Sequence, residues 1–207
     1  MPINSQKIFI NGPAGKLEIV LAEPTTGIRG LAVIAHPHPL YGGTMDNKVV
    51  QILFKVLLTL GYVSIKFNFR GVGESEGAHD HGIGEIEDVV AVVETIRNRI
   101  TAAPESLLLA GFSFGGAIQA HVTQRLKPQN LVLVAPSVVN LNAPPVIPHC
   151  KNNLIIHGDQ DEIVPLQTVL TWAAPQSLPV VVVPGTEHFF HGNLLVLRQI
   201  VMQYLSK

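Results

Sequence analysis

The feature that most constrains the fold is a succession of short, largely apolar stretches with little polar alternation. They are Leu31–Ala35, Tyr62–Phe69, Ser106–Ala110, Leu131–Ala135, Asn153–Gly158 and Val180–Val183. A strand that is apolar on both faces must be covered on both faces, and that is the situation of a parallel sheet between layers of helices. The intervening segments supply the helices. Asp46–Leu60 is apolar-rich and closed by Gly61, and Gly84–Ile100 carries Ile86, Val89, Val90, Val93 and Ile96 at helical spacing. Further helices are expected near Leu166–Ala173 and from Asn193 onward. Lys7–Ile10 and Lys16–Ala22 read as an opening antiparallel hairpin turning at Asn11–Gly15. There is no internal repeat or low-complexity segment, and 207 residues suit one domain, 1–207, with a sizeable core.

Within this pattern Gly111-Phe112-Ser113-Phe114-Gly115 reads G-x-S-x-G, between the apolar strand ending at Ala110 and a helical run from Gly116. A serine on a tight strand-to-helix turn needs neighbours without Cβ two residues away on each side, because the backbone folds back there to lift the hydroxyl clear. The turn also sets Ser113 near a helix N-terminus, whose partial positive charge favours an anionic intermediate. A glycine-rich turn holding an ordinary serine is the plainer reading, and the flanking strand and helix weigh against it.

A serine hydroxyl becomes a nucleophile only with a base to take its proton and an acid to orient that base. The strand ending His157-Gly158 runs into the acidic loop Asp159-Gln160-Asp161-Glu162-Ile163-Val164-Pro165. The Val180–Val183 strand is followed by Pro184-Gly185-Thr186-Glu187-His188-Phe189-Phe190-His191-Gly192. Serine, acid, histidine is the chain order of α/β-hydrolase triads. Two histidines of that last loop compete as base, and His188, directly after the Gly185 turn, is preferred to His191.

On these motifs the chain resembles the α/β-hydrolase superfamily over nearly its whole length. The stretch Ala35-His36-Pro37-His38-Pro39-Leu40-Tyr41-Gly42-Gly43-Thr44 makes it similar to small bacterial hydrolases of that superfamily, with dienelactone hydrolases and lidless carboxylesterases the nearer relatives. The resemblance implies an α/β-hydrolase fold with a mostly parallel sheet, Ser113 as nucleophile, Asp161 as acid and His188 as base. It treats Asp159 as a loop-shaping residue. Only the proline-rich Pro136–Asn152 separates two successive strands where many relatives insert a helical lid, so no lid domain is expected. An open site of that kind suits small or extended soluble substrates better than interfacial lipid.

For the oxyanion hole, one donor should be the backbone N–H of Phe114. The second should come from the loop after Leu31–Ala35, where Pro37 and Pro39 have no N–H. His38 or Leu40 remains, and the resemblance favours His38. Leu40, Tyr41, Phe112 and Phe189 are candidates for lining the substrate site, with Phe114 and Phe190 divided between core and site wall.

Other features receive structural readings. His36 with His38, and His79-Asp80-His81, lack an established metal spacing, so no metal or cofactor is expected. Gly71-Val72-Gly73 lacks the third glycine of a dinucleotide loop and reads, with Arg70, as a superfamily turn in which Asn68 stands where an aspartate is usual. His121 and His157 read as packing residues, and His149, Trp172 and Cys150 carry no functional signal. The net charge of −1 argues against nucleic acid or an anionic membrane as principal partner. The lone Cys150, a start without a basic-then-apolar leader, and no apolar run long enough to span a bilayer lead to a cytoplasmic expectation. The sequence thus points to a serine hydrolase cleaving a small-molecule ester, thioester or lactone through an acyl-enzyme. A C–C hydrolase or perhydrolase using the same residues, and a non-catalytic binding protein of the same fold, are the alternatives. Oligomeric state is not legible.

Overall fold

Why the apolar stretches form one sheet is visible in a computed structural model, which describes residues 4–25, 27–100, 106–147, 150 and 152–206. Among these residues the strands are β1 (Ser5–Gly12), β2 (Gly15–Ala22), β3 (Gly30–Ala35), β4 (Tyr62–Phe67), β5 (Leu107–Phe112), β6 (Asn130–Val134), β7 (Asn152–Gly158) and β8 (Val180–Val183). The helices are α1 (Lys48–Thr59), α2 (Ile83–Arg99), α3 (Phe114–Leu126), α4 (Leu166–Ala173) and α5 (Leu194–Leu205). The strands join in the order β1-β2-β4-β3-β5-β6-β7-β8. All pairings from β4 to β8 are parallel, while β1–β2 and β2–β4 are antiparallel. This is the α/β-hydrolase architecture, and no helical lid lies in the described residues between β6 and β7. Pro148 and His149 of that connection, and the opening residues 1–3, are outside the described residues.

Two apolar layers enclose the sheet, as its doubly apolar strands require. On one face Val33, Ile65, Leu109, Leu131 and Ile155 pack against Val89, Val93, Ala117 and Ile118 of α2 and α3 and Val169 of α4. On the other, Ile34, Ala110, Val132 and Ile156 pack against Val49, Leu53 and Leu57 of α1 and Leu197 and Val201 of α5. The alternation of Ile155 and Ile156 between the two clusters is the period of two expected of a strand.

Several expected boundaries shift for local reasons. The opening hairpin is longer than expected and turns on Pro13-Ala14 alone, with Gly12 opposite Gly15. α1 starts at Lys48, because the Asn47 side chain accepts from the Val49 N–H (2.9 Å) and caps it. β4 ends at Phe67, and Phe69 lies buried beyond it. Val180–Val183 is the edge strand, so only Val183 is fully buried along it, where the sequence suggested burial throughout.

Candidate active site

At the carboxyl end of β5 the chain turns abruptly into α3. Ser113 occupies φ 55°, ψ −117°, a strained conformation for a residue with a side chain. The turn depends on glycine on both sides. A Cβ on Gly111 would lie 2.4 Å from the Gly115 carbonyl oxygen, and one on Gly115 would lie 2.4 Å from the Ala35 carbonyl oxygen. Hydrogen bonds hold the elbow: the Ser113 N–H donates to the Val134 carbonyl (2.9 Å), and the Ser137 N–H donates to the Ser113 carbonyl (3.0 Å).

Ser113, Asp161 and His188 come from the ends of three strands and meet in one hydrogen-bonded row. His188 Nε2 lies 3.0 Å from Ser113 Oγ, and His188 Nδ1 lies 2.7 Å from Asp161 Oδ2. The carboxylate accepts only, so Nδ1 carries the proton and Nε2 is free to take one from the serine. Asp161 Oδ1 accepts from the backbone N–H groups of Ile163 (3.0 Å) and Val164 (2.7 Å). Burial works against the Asp161 charge, but the hydrogen bonds from His188 and Val164 outweigh it and hold the carboxyl below the usual aspartate range. His191 is largely exposed and sits 3.1 Å from Glu187 Oε1, away from the serine. Of the two histidines in the loop, it is His188 that faces Ser113.

The loop after β3 folds over this row. His36 is fully buried, donating from Nδ1 to the Pro37 carbonyl (2.6 Å) and accepting at Nε2 from the Phe69 N–H (3.1 Å). Burial pushes its pKa down to about 4. His38 precedes a short 3-10 turn, Pro39–Tyr41; its carbonyl accepts from the Tyr41 and Gly43 N–H groups, and its Nδ1 accepts from the Leu40 N–H (3.2 Å). The Leu40 N–H is therefore engaged within the loop. Among the described residues, neither the His38 nor the Phe114 N–H has an acceptor. The His38 ring packs on Phe114 and His79, and His79 on His81. Burial, with the neighbouring His79, lowers the His38 pKa.

A cavity of about 360 Å³ opens on Ser113 and His188, walled by His38, Tyr41, Asn47, Ile163 and Phe189 among others. Two expected lining residues are corrected. Phe112 is fully buried in the core beneath His188, its ring centroid 5.0 Å from the imidazole. Leu40 is exposed to solvent and is not among the residues that line the cavity. Phe114 and Phe190 are also core residues. Sequence reasoning missed Asn47 and Ile163. Asn47 could have been flagged as the cap of α1, and Ile163 as the exposed apolar residue beside Asp161. The departure at Asn68 is structural: its side chain accepts from the Met45 N–H (2.9 Å) and donates to Glu18 (2.7 Å). Arg70 is likewise structural, paired with fully buried Asp88 (2.8 Å).

Comparison with known proteins agrees with this architecture. The chain can be superposed on a Coxiella burnetii alpha-beta serine hydrolase homologue with a TM-score of 0.88, at 40% identity over 98% of both chains. A Xanthomonas campestris serine hydrolase described as lacking a lid gives a TM-score of 0.90, at 35% identity over 100% of this chain and 95% of that one. An uncharacterized Rickettsia prowazekii protein is 33% identical over 96% of this chain and 88% of its own length. The fold and these likenesses define a lidless α/β serine hydrolase. More narrowly, the chain belongs to the hydrolase family described as serine aminopeptidase, S33, whose pattern it matches over residues 38–152. Among the described residues no helix is long and apolar enough to cross a membrane.

Proposed function

We propose that this protein cleaves a small, uncharged carboxylic ester, with thioesters and lactones as variants, by acyl transfer to Ser113. The observation carrying this reading is the single imidazole of His188 bridging Ser113 Oγ at 3.0 Å and Asp161 at 2.7 Å. In the proposed reaction His188 Nε2 takes the hydroxyl proton as Oγ attacks the carbonyl carbon. The N–H groups of Phe114 and His38 receive the oxyanion, both without a protein acceptor among the described residues. Collapse of the tetrahedral intermediate expels the alcohol, which His188 protonates. His188 then takes a proton from water as it attacks the acyl carbon, and a second collapse returns Ser113 and releases the acid. Asp161 stays ionised throughout and orients the imidazole.

The cavity wall supports an uncharged substrate. Its polar side chains beyond the serine are His38, Tyr41, Asn47 and His188, each uncharged or able to be neutral, with no Asp, Glu, Lys or Arg. An aminopeptidase substrate brings a free ammonium that would call for a carboxylate, so the wall favours esters within a family described by peptide cleavage. The same reading takes a small molecule as the partner, without nucleic acid or membrane, in a reducing cytoplasm.

The test is the intact mass after fluorophosphonate treatment, with peptide mapping, alongside turnover of short-chain p-nitrophenyl esters. One adduct on Ser113 together with turnover is the expected result. A folded protein that neither takes the label nor cleaves any ester would overturn the proposal in favour of a binding protein on this fold.

A further inference from the structure

Asp161 has a second imidazole beside it. His157, the penultimate residue of β7, is fully buried, and its Nε2 lies 2.8 Å from the Val164 carbonyl oxygen and 3.3 Å from Asp161 Oδ2. Sequence reasoning took this histidine for core packing. Chemistry fixes its tautomer: both neighbours of Nε2 are acceptors, so Nε2 carries the proton. Nδ1 is then a bare lone pair, buried with no protein partner among the described residues. A buried unpartnered nitrogen is costly, and a residue serving only to fill space would be replaced at less cost by an apolar side chain.

We infer that His157 is a positioning residue for the acid of the Ser113–His188–Asp161 row. This inference rests on the catalytic reading given above. His157 acts at two points of one loop. Its N–H holds the carbonyl of Val164, whose own N–H is the 2.7 Å donor to Asp161 Oδ1. The same N–H lies close to Oδ2, the oxygen that receives His188 Nδ1, and presents its positive end to that charge. The carboxylate is thus fixed on Oδ1 by two backbone donors and flanked on Oδ2 by two rings. The proton of His157 is not transferred at any step. What His157 contributes is the direction from which Asp161 meets His188 as the latter gains its proton.

The test pairs two substitutions with a spectrum of the unmodified protein. His157→Met keeps apolar bulk and removes the donor, and His157→Gln places an amide N–H where Nε2 stands. Loss of a hydrogen bond serving a charged group predicts a kcat about tenfold lower for His157→Met with KM unchanged, and recovery to within about twofold in His157→Gln. Equal kcat in the folded Met variant, or an equal loss in both variants, would overturn the inference. Should the Met variant not fold, ring ¹⁵N resonances of the unmodified protein decide. The expected spectrum has His157 protonated at Nε2 and bare at Nδ1, with the Nε2–H resonance moving when Ser113 is phosphonylated. A proton on Nδ1, or a resonance indifferent to phosphonylation, would reject the role. If Ser113 takes no label, the catalytic reading itself fails, and that result is separate from the His157 tautomer, which is read without the label.

Discussion

The floor and the rim of the site are built on opposite terms. On the floor Ser113, Asp161 and His188 are each less than a tenth exposed. The Ser113 backbone is tied to Val134 and Ser137, Asp161 accepts from two N–H groups of its own loop, and His188 bridges the two side chains. On the rim Tyr41 is 86% exposed, Ile163 59% and Phe189 37%, and their side chains stand on loops with few partners. Both regions face one cavity. The floor is held by backbone bonds at the elbow and by buried side-chain hydrogen bonds through His188 and Asp161, which a change at any of the three would disturb. The rim is held by loop tips, where side chains can change with little consequence for the fold. Under the proposed function the first region carries the chemistry and the second the selection, so the two should respond to mutation on different scales.

The largest effect should come from the nucleophile. Ser113→Ala is expected to lower ester kcat by about 10⁴-fold or more, with the thermal midpoint nearly unchanged, as read from steady-state kinetics and calorimetry. Next is the acid: Asp161→Asn should cost roughly 10³- to 10⁴-fold in kcat, since the amide no longer selects the productive tautomer of His188. Retention of most activity by this variant would break the assignment of the floor. Third, Gly115→Ala drives a Cβ to 2.4 Å from backbone oxygen and should destabilise the fold by about 3 kcal/mol, measured by urea unfolding.

A fourth effect appears in pH dependence. The pKa of His36 is depressed from 6.5 to about 4 in the folded protein, so below pH 6.5 the unfolded chain takes up a proton that the folded one refuses. The stability it contributes is present above about pH 6.5 and declines as pH falls towards 4, by up to about 3 kcal/mol. His36→Gln should flatten that part of the curve, and an unchanged slope would show that other groups control it. The smallest effect belongs to the rim. Tyr41→Ala should change kcat/KM for a given ester by about threefold or less and leave stability within about 0.5 kcal/mol. A hundredfold loss would mean that Tyr41 belongs with the floor.

Much of this was legible along the chain because local spacing encodes it. The strand-turn-helix around Ser113 needs glycine at fixed offsets, and the order of Ser113, Asp161 and His188 follows the order of the strands. Boundaries were less legible where a cap or an edge decides them. The Asn47 cap delays α1, and the edge position of β8 leaves the apolar run Val180–Val182 only half covered.

The sequence by itself determined the sheet, its two helical layers and the elbow, because each depends on residue type at short separation. It also narrowed the row to Ser113, an acid of the Asp159–Asp161 loop and a histidine of the Glu187–His191 loop. Only the tertiary structure brought His188 rather than His191 to Ser113, sent Phe112 into the core and Leu40 to solvent, and set His157 against Asp161. The reason is physical: those outcomes depend on which loops converge at the carboxyl ends of β3, β5, β7 and β8. That convergence is set by the packing of residues up to 75 positions apart, as between Ser113 and His188, and no local pattern along the chain contains it.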